Sequence, residues 1–533
     1  MKNCILGALL LITFWSQAQE HAWVYFTDKP NVQAAINNPS TILSPRAIAR
    51  KSLHQTPIDA RDVPVNEAYV TSIKNQTGIT VKAKSKWFNC VHVLGTIQQI
   101  NNLSNLNFVQ DIVFANSMLN SKPSESQNQT LFNQKFEVSI NYNYGSSSNQ
   151  VNMLQVEDLH QNDYTGDGML IAVLDSGFPY VLTNPGFADL NQDNRLLGGY
   201  DFVARSPNFA DPNLHNHGAK VLSDMVGFLD DQFVGTSPDA SFYLFRTEDA
   251  YAETPLEETY WVEAAERADS LGVDLINSSL GYFTFDNPDY NYTPQDMDGN
   301  TAFITKGANI AVEKGILVVN AAGNTGQNSS FPIITAPADG NVLSIGAVDQ
   351  NGDYASFSST GPSADGRVKP DVVAQGASAA IIDLDGSVTF SNGTSFAAPI
   401  ITGAIASLWQ ANPSKTNIEI MQIVRESASR YNNPNTEIGY GIPNFYVALQ
   451  QVLSIDENQK NTSIAYPNPT TNDLYLSKAS AEANTLRMYN LLGEKLLESN
   501  NTNHIDMTPF AKGMYLLRIQ KGSQEETIKI IKN

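Results

Sequence analysis

Two cysteines, Cys4 and Cys90, are all that 533 residues contain, so no disulfide framework holds this chain together. Charge is scarce at 16% of residues and uneven, with 33 Lys and Arg against 54 Asp and Glu, a net −21. Such a field repels nucleic-acid phosphates and anionic lipid, which sets aside DNA, RNA and membrane-surface binding. Long apolar runs are absent except for Cys4–Trp15, behind Lys2. That run is too short to cross a bilayer and suits the core of a signal peptide, so export is expected and no transmembrane segment. With small residues at Ser16 and Ala18, cleavage is expected after Ala18, and Cys90 is then the only thiol.

What is present is a 42% hydrophobic chain with no solenoid or propeller period, long enough for three or four globular units at roughly 100 to 200 residues each. Behind the signal (1–18), residues 19–115 read as a small α+β unit. Its expected strands are Ala22–Phe26, Ile79–Val93 and Phe108–Phe114, and its expected helices Asn66–Asn75 and Ile97–Leu106. Residues 116–150 are rich in Asn, Ser and Gln and read as an exposed processing linker. From 151 to 453 apolar strands alternate with helical patterns, the mark of an α/β doubly wound parallel sheet. Strands are expected at Met169–Leu174, Phe242–Phe245, Val273–Ile276, Ile316–Val319 and Val342–Val348, with a helix through Trp261 and Ala268 stopped by Gly272. A polar link (454–462) precedes 463–533, whose short alternating strands predict a β-sandwich.

Three residues carry candidate chemistry. Asp175 ends the run Leu170–Leu174, where open α/β sheets place ligands; by itself it also fits a turn. His217 begins a helical pattern through Val221, Leu222, Met225 and Val226, and Gly218 beside it permits close approach. His215 is the alternative for any role of His217. The pair offers two metal ligands, but no third stands at a usual spacing, so no metal is assigned. Ser395 starts a nearly all-apolar helix, where free backbone N–H groups and the helix dipole favour an oxyanion; by itself it also fits an N-cap.

The order Asp175, His217, Ser395 resembles the subtilisin-like serine proteases. The resemblance rests on Ile171–Gly177, His217-Gly218, Asn392–Pro399, Asn277–Gly281 and Val318–Asn324. It implies a secreted endopeptidase with Asp175, His217 and Ser395 as triad and Asn324 as oxyanion donor. Ser279, Leu280 and Gly281 would be the substrate-binding edge, and Ala321, Ala322 and Gly323 the far wall of the specificity pocket. Protein or peptide substrates follow, with an acyl-enzyme intermediate and no cofactor for the chemistry. One departure stands after the histidine, where Gly218-Ala219-Lys220-Val221-Leu222-Ser223 replaces the family's Gly-Thr-His-Val-Ala-Gly; Lys220 is expected to lower the histidine pKa. Structural calcium is known among relatives, but Asp296–Asn300 lacks the full spacing of a calcium loop and no ligand is assigned.

The N-terminal unit, through Trp23–Phe26, Ser44–Arg50 and Ser85–Asn89, resembles the family's inhibitory propeptide in its Bacteroidetes form, which implies a self-processing precursor. The tail resembles the type IX secretion sorting module through Tyr466–Pro469, Met488–Lys495, Lys512–Leu517 and Ile528–Lys532. It implies the type IX machinery as a partner and a secreted or surface-attached protein. The competing reading is a non-catalytic surface protein on the same fold, which loss of any triad position would have favoured.

Overall fold

The computed structural model describes residues 19–120, 142–453, 465–466, 470–476, 484–490, 494–500, 502–521 and 524–532. The expected signal peptide, residues 121–141 of the expected linker, the link 454–462 and parts of the tail motifs lie outside them.

Residues up to 453 form one unit, opened by a four-stranded antiparallel sheet. Its strands are β1 (Glu20–Phe26), β2 (Thr80–Ser85), β3 (Cys90–Gly95) and β4 (Val109–Phe114), in the order β2-β3-β1-β4. One face buries Val24, Phe26, Val91 and Val93 under helices Glu67–Lys74 and Ile97–Asn102, the latter contributing Ile100 to the same core. Thr96 and Gln99 close the second helix start as a capping box, one of the local signals legible in sequence.

The larger body is a seven-stranded, all-parallel sheet in the order β13-β12-β11-β10-β5-β9-β6. Its members are β5 (Leu170–Asp175), β6 (Leu196–Asp201), β9 (Ser241–Arg246), β10 (Leu275–Ser278), β11 (Leu317–Ala321), β12 (Leu343–Val348) and β13 (Val372–Gln375). The short pair β7 (Phe228–Leu229) and β8 (Phe233–Val234) precedes β9. A hairpin of β14 (Ala379–Ile382) and β15 (Val388–Ser391) follows β13. Central strands β5, β10, β11 and β12 are buried at every residue, as a sheet covered on both faces requires. Helices His217–Val226 and Thr394–Gln410 pack on each other, as do Pro255–Leu271 and Phe303–Glu313. Gly272 ends the third of these at φ +85°, a left-handed cap.

The open face of the N-terminal sheet lies on that second helix pair. Trp23 stacks on Phe303 with centroids 4.3 Å apart and donates its indole N–H to Thr259 Oγ1 at 2.9 Å. Glu266 accepts the backbone N–H groups of Lys86 and Trp87 at 3.0 and 2.9 Å. Between the segment from Pro45 to Asp62 and the protease body, Arg50 and Lys51 of helix Pro45–Leu53 pair with Asp269 at 2.7 and 2.8 Å, and Asp62 of the turn Ala60–Asp62 pairs with Lys314 at 2.7 Å, all with side chains at most 4% exposed. Charges so deeply placed are tolerable only in pairs.

Residues 142–150 differ from the expected linker. Tyr144, Ser147, Gln150 and Val151 are buried, Ser146 N–H donates to the Gln232 carbonyl at 2.8 Å, and Gln150 bonds both Asp224 and the Ala380 carbonyl at 3.1 Å. Asn- and Ser-rich composition reads as solvated, yet here these groups satisfy buried backbone of the protease body.

The tail forms a second unit with two sheets. Strands β16 (Ala465–Tyr466), β17 (Asp473–Leu476) and β20 (His504–Asp506) make one; β18 (Asn484–Tyr489), β19 (Lys495–Asn500), β21 (Gly513–Lys521) and β22 (Gln524–Lys532) make the other. Leu474, Leu476 and Ile505 of the first share a core with Leu486, Met488, Leu517 and Ile519 of the second, a sandwich as expected.

Two outcomes follow. Asp269→Ala, which strands Arg50 in the interface, lowers the unfolding free energy of the full chain by about 3–5 kcal/mol in denaturant melts, whereas a change under about 1 kcal/mol would show the pairing to be idle. A processed enzyme begins no later than about Tyr142, since residues beyond it are built into the protease body. N-terminal mass spectrometry giving a start after Val151 would contradict this.

Candidate active site

Asp175 closes β5 and is fully buried. Its Oδ1 accepts the Ser176 N–H at 2.7 Å, the Ser176 hydroxyl at 3.1 Å and His217 Nδ1–H at 2.8 Å; Oδ2 lies 3.1 Å from the same Nδ1. A carboxylate is acceptor-only, so His217 carries its proton on Nδ1 and turns Nε2 to the cleft. His217 starts its helix as expected. A Cβ on Gly218 would stand 2.5 Å from the Gly177 carbonyl oxygen and 2.9 Å from Asp175 Cβ, so only glycine lets the helix start approach the strand end this closely.

Ser395 lies in the first turn of helix Thr394–Gln410, where backbone N–H groups lack intrahelical acceptors. Its hydroxyl donates to the Ser279 carbonyl at 3.3 Å, and Ser279 Oγ donates back to the Ser395 carbonyl at 2.8 Å. The serine and His217 Nε2 share no hydrogen bond in this state; such bonds are often long before substrate arrives.

Asn324 follows β11, and its Oδ1 accepts the Thr394 N–H at 2.9 Å and the Thr394 hydroxyl at 3.1 Å. Because a backbone N–H can only donate, the amide is fixed with Nδ2 as the free donor. Thr394, absent from the sequence expectation, thus orients Asn324. Only its place between a glycine and the serine hinted at it.

Ser279, Leu280, Gly281, Ala321, Gly323, Asn324 and Ser395 line one cavity of about 440 Å³, closed by Phe283, Asn328 and Thr335. A Cβ at Gly281 would meet Thr335 Oγ1 at 2.2 Å, so glycine keeps this wall open. Ala322 departs from the expected set: it is fully buried and packs with Ile334 and Ala338, because alternation along an extended chain turns it away from Ala321 and Gly323.

A second cavity of about 500 Å³ shares Ser279–Gly281 and adds His217, Ser176, His215, Glu248, Asp249, Glu253 and Asp286. Burial, helped by neighbouring carboxylates, pushes Glu248 up to about 7 and Glu253 up to about 8. Tyr282 donates to Glu248 at 2.5 Å. The His217 pKa is raised: burial pulls it down, but the charge and hydrogen bond of Asp175, with help from Glu248, outweigh that. Lys220 acts downward as expected, but it is the last of the contributions, with its ammonium 3.1 Å from Asp383, and Asp175 sets the net direction.

Among the described residues no group of three His, Cys, Asp or Glu side chains is placed to hold a metal. In the loop 296–300, Asp296 caps Thr293 and Asp298 caps Asn300 and Thr301. No helix among them is long and apolar enough to cross a membrane.

Comparison with known proteins places the chain in a family. Residues 166–441 match the Subtilase family, 21–131 the Peptidase S8 propeptide domain of Bacteroidota, and 464–533 the Secretion system C-terminal sorting domain. Subtilisin BL from Lederbergia lenta is 30% identical over 307 residues, covering 56% of this chain and 97% of that protein. Subtilisin amylosacchariticus from Bacillus subtilis subsp. amylosacchariticus is 30% identical over the same length, covering 56% and 70%. A thermophilic serine proteinase from Bacillus sp. (strain AK1) is 30% identical over 306 residues, covering 54% and 66%. The chain belongs to the subtilase family, a serine endopeptidase with a Bacteroidota-type propeptide and a type IX secretion sorting tail.

Proposed function

We propose that Asp175, His217 and Ser395 hydrolyse peptide bonds through an acyl-enzyme, with Asn324 and the Ser395 N–H binding the oxyanion. The observation that carries this reading is the 2.8 Å bond from His217 Nδ1 to buried Asp175, which leaves Nε2 without that partner, in a cavity that shares Ser279–Gly281 with the one Ser395 lines. His217 Nε2 takes the hydroxyl proton as Ser395 Oγ attacks the scissile carbonyl, and the oxyanion gains Nδ2–H of Asn324. His217 then returns the proton to the leaving amine, and water, activated by the same nitrogen, releases the acyl group. An extended peptide lies along Ser279–Gly281, one side chain entering the cavity beside Asn324. The chain enters the export route by its signal peptide, the N-terminal unit inhibits until the protease cuts its own linker, and the tail directs passage across the outer membrane.

Ser395→Ala abolishes turnover and leaves the precursor uncut. Asn324→Leu lowers kcat by about 100- to 1,000-fold, the size known for this family's side-chain donor, with KM little changed, because the amide meets charge only in the transition state. Steady-state kinetics on one peptide decide it: more than about a third of wild-type kcat, with an unchanged melting temperature, would remove Asn324 from the oxyanion site.

The acid limb of kcat/KM follows His217, since the base works only when neutral: activity falls as pH drops through its raised pKa. Asp175→Asn removes the charge that favours imidazolium and leaves burial, which disfavours it. The His217 midpoint, read by NMR in a Ser395→Ala background, therefore moves down; an unchanged or higher midpoint would contradict the balance of forces.

A further inference from the structure

The triad carboxylate has a second histidine behind it. His215 Nδ1 lies 3.0 Å from Ser176 Oγ, and Ser176 Oγ lies 3.1 Å from Asp175 Oδ1. The proton directions are fixed by elimination. Ionised Asp175 can only accept, so the single hydroxyl proton of Ser176 points to Oδ1, and Ser176 Oγ must accept from His215 Nδ1–H. The His215 and His217 rings stack with centroids 6.4 Å apart and line the same cavity, and His215 is solvent-exposed. Charged or titratable groups lining the second cavity with it are His217, Glu248, Asp249, Tyr251, Glu253 and Asp286, with Asp175 behind Ser176.

We propose that His215 is a positioning residue that acts through Ser176 on Asp175 and so limits how firmly the carboxylate holds the proton on His217. The proposal rests on the triad reading given above. A hydroxyl that accepts one hydrogen bond donates a stronger one, so the His215 N–H polarises Ser176 O–H toward Oδ1, the oxygen that also receives the His217 N–H at 2.8 Å. Carboxylate charge engaged by Ser176 is less available to imidazolium. Burial and Asp175 already pull His217 in opposite directions, with Asp175 ahead; the Ser176–His215 arm trims that excess and keeps the base free to lower pH.

The test is the pH dependence of kcat/KM for a panel of full-chain variants after maturation. His215→Leu keeps bulk and loses the donor, so its acid-limb midpoint rises by on the order of half a pH unit while the high-pH plateau stays within about threefold of wild type. His215→Asn carries an amide nitrogen on the same branch as Nδ1 and restores the midpoint to within about 0.1 unit. Ser176→Ala shifts in the same direction, and the double variant Ser176→Ala with His215→Leu moves no further, because one chain has been cut twice. A His215→Leu midpoint equal to wild type, shifts that add in the double variant, or a fall in plateau alone would overturn the role. Ser395→Ala is run beside them: hydrolysis surviving there would refute the triad itself, whatever the midpoints do.

Discussion

A carboxylate with no exposure at the end of a central parallel strand sets the terms for the site. Asp175 is fully buried, and its negative charge is sustained there by three hydrogen bonds, two from Ser176 and one from His217. Those bonds dictate what comes next in the chain. The loop after β5 must turn so that Ser176 caps the carboxylate, and the helix of His217 must begin within contact of Gly177, which only Gly218 allows. The base is therefore oriented by the fold before any substrate arrives, and little reorganisation is left for the reaction.

The nucleophile is placed by a second helix start, and its neighbours are placed by that helix in turn. Thr394 fixes the Asn324 amide, and Ser279 exchanges hydrogen bonds with Ser395, so the oxyanion donor, the nucleophile and the substrate edge form one hydrogen-bonded assembly. On the other helix pair the N-terminal unit is held by stacked aromatics, by Glu266 and by paired buried charges. With Cys90 the one cysteine among the described residues, buried and free, stability rests on that packing and pairing and on the large apolar core.

Much of this was legible in sequence because its signals are local. Asp175 after five apolar residues, His217 before glycine, Ser395 before an apolar helix and a left-handed cap at Gly272 each announce backbone geometry without help from distant chain. The edge strands β6 and β13 were missed: Leu196–Asp201 is half exposed and broken by two glycines, and Val372–Gln375 is only four residues long behind Pro370. Helix Pro45–Leu53 was not among the expected elements; the partners that bury its Arg50 and Lys51 are Asp269, far off in sequence, and Asp62. Residues 142–150 failed for the same reason, since polar side chains that satisfy buried backbone look like linker until the backbone they serve is in view. Thr394 and Glu248 carry no signature of their own, and His215 stood out only as the alternative to His217; their roles arise from what the fold brings beside them.

The central claim is that Ser395 is a nucleophile activated by His217 on Asp175. Labelling the mature enzyme with a serine-directed fluorophosphonate and mapping the adduct by mass spectrometry tests it most directly. One adduct on Ser395, formed slowly or not at all in a folded His217→Ala variant, is the predicted result. An adduct on another serine, or labelling of Ser395 at the same rate without His217, would contradict it.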